Sequence, residues 1–170
     1  MPLVETVGIL LQILTPAAAI GAVALWRTHR VDRRNLVLKL YEQLIAPDMQ
    51  TGRRLLHQYA TSDADWWDVS SDAAAEARDK INGALAMFDV VGWYVEKKYV
   101  DADAILEVWS PALVRCWYRA YDPYIRVRRE TEGWEGWSYY ERLVRKAERH
   151  LERTGRTRVL EDVKWRPDAA

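Results

Sequence analysis

Hydrophobic and polar positions alternate on two different scales along this chain. Residues 6–26 are apolar or weakly polar without a single charge, and Arg27, Arg30, Arg33 and Arg34 follow at once, broken only by Asp32. A helix through that run covers about 30 Å at about 1.5 Å per residue, the thickness of a bilayer's hydrocarbon core. The leader holds only Glu5 and the arginines come after the run, which is the reverse of a cleaved secretory signal and places everything after Trp26 on the cytoplasmic side. The helical pattern continues through Leu36, Leu40 and Leu44, so one helix is expected from about Leu3 to Ile45. Ala46-Pro47 then breaks it, because a proline disfavours α conformation in the residue before it and suits the first turn of the next helix.

Beyond that break the spacing is helical throughout. A second helix is predicted from Pro47 to about Tyr59, and residues 61–71 form a polar loop carrying Trp66 and Trp67. Ser70 or Ser71 is a good N-cap for a long third helix, with Ile81, Leu85, Phe88, Val91 and Val95 turned inward and an end near Lys97-Lys98-Tyr99. Asp101 is expected to cap a short helix. Ser110-Pro111 and Asp122-Pro123 each read as a start signal, which predicts separate helices from Pro111 to Tyr121 and from Pro123 to about Glu130. A glycine-containing loop, a helix from Ser138 to about Arg153, a stop at Gly155 and a loosely held tail complete the chain. No period-two pattern occurs, so the predicted class is all-α: an N-terminal transmembrane helix (1–26), its juxtamembrane extension (27–45), a cytosolic bundle of about five or six helices (46–154) and a tail (155–170).

Composition narrows the possibilities only in part. The 25 basic and 25 acidic residues cancel, so the overall balance does not mark a nucleic-acid binder. The charges are nevertheless segregated, with basic stretches at 27–39 and 142–158 and an acidic one at 63–79, each read first as a solvated helix face or, near the span, as contact with lipid headgroups. Cys116 is the only cysteine, read as a small buried side chain. His29, His57 and His150 are isolated and no nucleotide-binding or hydrolase motif occurs, so neither a metal site, a cofactor nor a catalytic residue is expected.

Two features carry functional readings. On a helical wheel with Gln12 at zero, Glu5, Gly8, Thr15, Ala19, Arg30, Arg33, Arg34 and Tyr41 all fall within about 60°. Polar side chains are costly in hydrocarbon and face another helix or water, which points to self-association. Glu5, Gly8, Gln12, Thr15 and Ala19 then line either a pore or a packed helix interface. The second feature is aromatic: nine tryptophans and nine tyrosines accompany one phenylalanine. In RCWYRAYDPYIRVRR the rings interleave with arginines, as in surfaces that stack bases and hold phosphates. The simpler reading places Trp93, Trp109 and Trp117 in the core.

The stretches NGALAMFDVVGWYVEKKYVD, ILEVWSPALVRCWYRAYDPYIRVRRET and YYERLVRKAE, behind an N-terminal span and an arginine-rich continuation, resemble a widespread bacterial family of single-pass membrane proteins with a small helical cytosolic domain. The chain is also similar to the membrane effector of Hailong-type anti-phage systems. That resemblance implies a homo-oligomeric inner-membrane channel, a tetramer being one possible size, held closed by single-stranded DNA oligomers that a partner nucleotidyltransferase makes. Arg27, Arg30, Arg33 and Arg34 would then surround a vestibule fit for a polyanion, an assignment that rests on the wheel. The alternative is a membrane-anchored interaction or scaffold module with no pore.

Overall fold

The structure, a computed structural model, describes residues 32–60, 71–133 and 135–164. Glu5, Gly8, Gln12, Thr15, Ala19, Arg27, Arg30 and the whole apolar run lie outside the described residues. Among the described residues no helix is long and apolar enough to cross a membrane, and none is a strand. The chain divides into two units, residues 1–38 and 39–170. In the first, residues 32–38 are helical, with Arg33 and Arg34 exposed.

Among its described residues the second unit holds seven helices and one π-helical segment. We label them α1 (residues 32–44, of which 39–44 belong here), α2 (Pro47–Ala60), α3 (Asp72–Glu96), α4 (Ala102–Ala120), the π segment (Tyr121–Arg126), α5 (Val127–Glu132), α6 (Ser138–Arg153) and α7 (Arg158–Lys164). Helix α3 packs between α2 and α6, while α4 packs on α6, α2 and α7. The inward stripe predicted for α3 is the one observed, for Ile81, Leu85, Phe88, Val91 and Val95 are all buried. Its cap is Ser71, whose Oγ accepts from the Ala74 N–H at 3.2 Å. At its other end Lys98 adopts φ 59° and the Tyr99 N–H donates to the Tyr94 carbonyl, a left-handed closure that glycine usually provides.

Close crossings fix the layers. A Cβ on Gly52 would stand 2.2 Å from the Lys80 carbonyl oxygen, and one on Gly92 would stand 2.4 Å from that of Tyr139, so α2 meets α3 and α3 meets α6 backbone to backbone. The α6 amino terminus follows Trp137, which has φ 58° and no capping side chain of its own. Asp89 of α3 takes over the task, its Oδ1 accepting from the Tyr140 N–H at 2.8 Å. Tyr140 is fully buried against Phe88 and Trp117, and its hydroxyl donates to the Leu113 carbonyl at 2.8 Å.

Both expected starts at proline are corrected by the structure. Helix α4 runs through Pro111 without a break, and Ser110 sits within it, buried, with an Oγ that has no hydrogen-bond partner among the described residues. Proline at 111 removes the N–H that would have bonded to the carbonyl four residues back. That carbonyl, of Glu107, accepts instead from Arg156 Nη1 at 3.0 Å. At Pro123 the chain widens into the π segment rather than restarting. A wider turn relieves the clash of the ring with the preceding turn and keeps Tyr124 and Ile125 buried. The expected loose tail is also corrected: residues 158–164 form α7, which packs on α4 and buries Leu160.

Candidate functional site

Helical spacing puts Gln50, Arg53, Arg54, His57 and Gln58 on one face of α2, at i, i+3, i+4, i+7 and i+8. The opposite face of the same helix buries Gly52 and Leu56. On α4 the same spacing aligns Val108, Pro111, Ala112, Arg115 and Arg119, with Trp109 and Cys116 beside them. Leu106, Leu113, Trp117 and Ala120 of that helix are buried. Between the two exposed faces lies an open cleft of about 690 Å³, lined by Gln50, Arg53, Arg54, His57, Gln58 and the α4 residues from Val108 to Cys116 that face it. Among the described residues no carboxylate lines it.

Three contacts hold its basic groups in place. Arg53 Nη1 donates to the Leu44 carbonyl at 2.8 Å, and its guanidinium lies 5.3 Å from the centre of the Trp109 ring. The Tyr41 ring lies 6.3 Å from that of Trp109, and its hydroxyl donates to the Ala104 carbonyl. Arg119 Nη1 stands 2.5 Å from His57 Nδ1. An arginine can only donate, so Nδ1 accepts and the proton of the neutral ring belongs on Nε2.

The electrostatics follow from this crowding. Burial, then Arg119, Arg115 and Arg53, pull the His57 pKa from 6.5 down to about 4. Burial also lowers that of Arg53. The Cys116 thiol is pushed up to about 12 by burial, so it is an inert wall and no nucleophile. The cleft therefore concentrates guanidinium groups that attract anions, beside an apolar wall of Val108, Trp109, Pro111 and Ala112.

The aromatic–arginine stretch is divided by the fold. Trp109 and Trp117 are buried, as the core reading expected, and so are Tyr124 and Trp137, whereas Trp93, which that reading also placed in the core, is half-buried against Tyr94 and Tyr99. Arg128 and Arg129 lie over Tyr124 and Trp117, and they pair with Glu132 at 3.0 Å and Glu141 at 2.9 Å. Of the arginines of that stretch, Arg115 lines the cleft and Arg119 contacts His57 at its edge. Of the arginines chosen from the wheel, Arg33 and Arg34 are exposed in the first unit. Sequence reasoning passed over Arg53, Arg54 and His57, although QxxRRxxHQ is a helical face of basic and amide groups. Their weight becomes visible only when α4 is laid beside them.

No curated protein and no solved structure matches the chain. A family model does match, over residues 2–147, described as a domain of unknown function, DUF4760. That span takes in the apolar run, the cleft and most of the helical core, and the chain belongs to the DUF4760 family.

Proposed function

We propose that this chain is a single-pass inner-membrane protein whose copies associate through the polar stripe of Glu5, Gly8, Gln12, Thr15 and Ala19 into a channel-type effector of anti-phage defence. A ligand bound to the cytoplasmic helical part, single-stranded DNA by the resemblance stated above, keeps it closed. The observation that carries the reading is the charge-free run 6–26 stopped by Arg27, Arg30, Arg33 and Arg34, with its polar atoms on one face. Expression of the chain without its genomic neighbours should depolarise cells, and Gln12→Leu should reduce the effect by removing the most polar group of the stripe. Harmless expression of membrane-inserted protein at high level overturns the channel.

A second reading, a membrane-anchored interaction module with no pore, is favoured by one observation. Trp117 and Tyr124, two rings of the aromatic–arginine stretch, are packed in the core. It predicts a monomer or dimer in detergent and no conductance in planar bilayers.

A further inference from the structure

The carboxyl-terminal end of α3 presents aromatic and basic side chains on its outer face. Val91, Gly92 and Val95 turn into the core. Val90, Trp93, Tyr94 and Lys97 share the opposite face, at i, i+3, i+4 and i+7. Lys97 and Lys98 are exposed, and so are Val90 and Tyr99, at 42% and 48%. The Trp93 ring stands 5.0 Å from that of Tyr94 and 5.5 Å from that of Tyr99, both edge to face, and the two tyrosine rings are 5.9 Å apart. Three rings thus form one cluster at the surface beside two ammonium groups. The acids of this end are engaged: Glu96 pairs with Arg142 at 2.6 Å, while Asp89 and Asp101 accept from backbone N–H groups at the starts of α6 and α4. Lys97 and Lys98 therefore set the sign of charge on the outer face. Lys98 also holds φ 59°, a conformation that glycine adopts without strain and a side chain does not. Closing the helix does not require an ammonium group there.

We infer that this end of α3 lies against an anionic bilayer surface, with Lys97 and Lys98 among the headgroup phosphates and the rings of Trp93, Tyr94 and Tyr99 at the boundary between headgroups and acyl chains. Tryptophan and tyrosine suit that depth because each has an apolar body and a polar edge. A lysine's four-carbon stem stays in apolar surroundings while its ammonium reaches the phosphates, and the negative surface potential of anionic lipid attracts it. The occupant is a bilayer and not an acidic protein because the same chain carries the charge-free run 6–26. The inference rests on the membrane location proposed above and adds a second contact, made by the helical domain.

The test reconstitutes the full-length protein into vesicles of phosphatidylcholine, with and without phosphatidylglycerol, and treats them with a water-soluble amine-acylating reagent, the modified lysines being located by mass spectrometry. Lys80, about 26 Å away along the same helix, is the internal reference. Relative to it, Lys97 and Lys98 should react more slowly when phosphatidylglycerol is present, and the difference should shrink as salt rises. Lys97→Glu should weaken the protection of Lys98 about fivefold, the share of one basic residue near an anionic surface, and Lys97→Arg should keep it. Tyr99→Ser should weaken it too, which attraction of the lysines alone would not require. Three results overturn the inference: equal reaction in the two lipids, no effect of Lys97→Glu on Lys98, or equal protection in detergent, which would mean that a second copy covers this end. An unchanged Tyr99→Ser overturns the role of the rings. Alkaline extraction separates this contact from the span. Protein that resists alkali without protection at Lys97 and Lys98 keeps the span and removes the contact, whereas salt-sensitive protection in protein that alkali strips away keeps the contact and removes the span.

Discussion

Ser110 and His57 show how far a single residue's meaning depends on its neighbours in space. In sequence, serine before proline is a strong helix start. In the structure Ser110 is interior to α4 and its buried hydroxyl finds no partner among the described residues. A buried hydroxyl without a hydrogen bond costs stability, whereas a capping hydroxyl supplies it. Ser110→Ala is therefore expected to leave the melting temperature unchanged or raise it, and a loss of about 1 kcal/mol, typical of a removed cap, would restore the start-signal reading. In sequence His57 has only Arg53 and Arg54 on its own helix face, and the fold adds Arg115 and Arg119 of α4. Its folded pKa of about 4 lies below the 6.5 of a free imidazole, so the unfolded chain binds the extra proton first. Stability from this residue is complete above about pH 6.5 and is lost progressively as pH falls toward 4. Melting curves at pH 7 and pH 5 should differ more for the parent than for His57→Gln. Equal differences would show that the imidazole is not held neutral.

At the scale of elements, periodicity was legible and continuity was not. The α3 stripe, the break at Pro47, the Ser71 and Asp101 caps and the left-handed stop at Gly155 all follow from local rules, and all are present. The joints at Pro111 and Pro123 are not what local rules predict. Tertiary partners decided them: Arg156 takes up the carbonyl that Pro111 leaves, and burial of Tyr124 and Ile125 holds the π segment in register. Helix crossings are equally invisible in one dimension. Nothing in the pattern around Gly92 marks it, yet there the α3 backbone touches that of α6. Gly92→Ala forces the two helices apart and should cost about 1–3 kcal/mol, read as a lower denaturation midpoint. Gly83, whose added Cβ would stand 3.6 Å from the Met49 side chain, has ordinary room, and Gly83→Ala should not lower the midpoint. Similar losses at both positions would mean that glycine propensity, and not contact, governs α3.

For the whole molecule, the all-α class and the helical domain after Pro47 were readable, because hydrophobic spacing is a local property of each helix. The cleft was not, because its charges come from two helices some sixty residues apart, and neither contribution is unusual alone. Arg53 and Arg119 acquire their meaning by meeting across His57. Of the aromatic positions, Trp109 and Trp117 were readable as core and are buried, and the Tyr118 hydroxyl donates to Glu148 across the α4–α6 joint at 2.5 Å.

The bond from Arg156 to the Glu107 carbonyl has a consequence for where this fold ends. The family match stops at residue 147, inside α6, while Leu151 and Leu160 are buried beyond it. Helix α4 carries a proline in its middle turn, and the group that repairs that turn, Arg156, comes after α6 in the chain. During synthesis the wall of the cleft at Pro111 is thus completed only after α6, by a residue the family boundary leaves out. The minimal unit able to present that wall in its finished form is longer than the span of the family match.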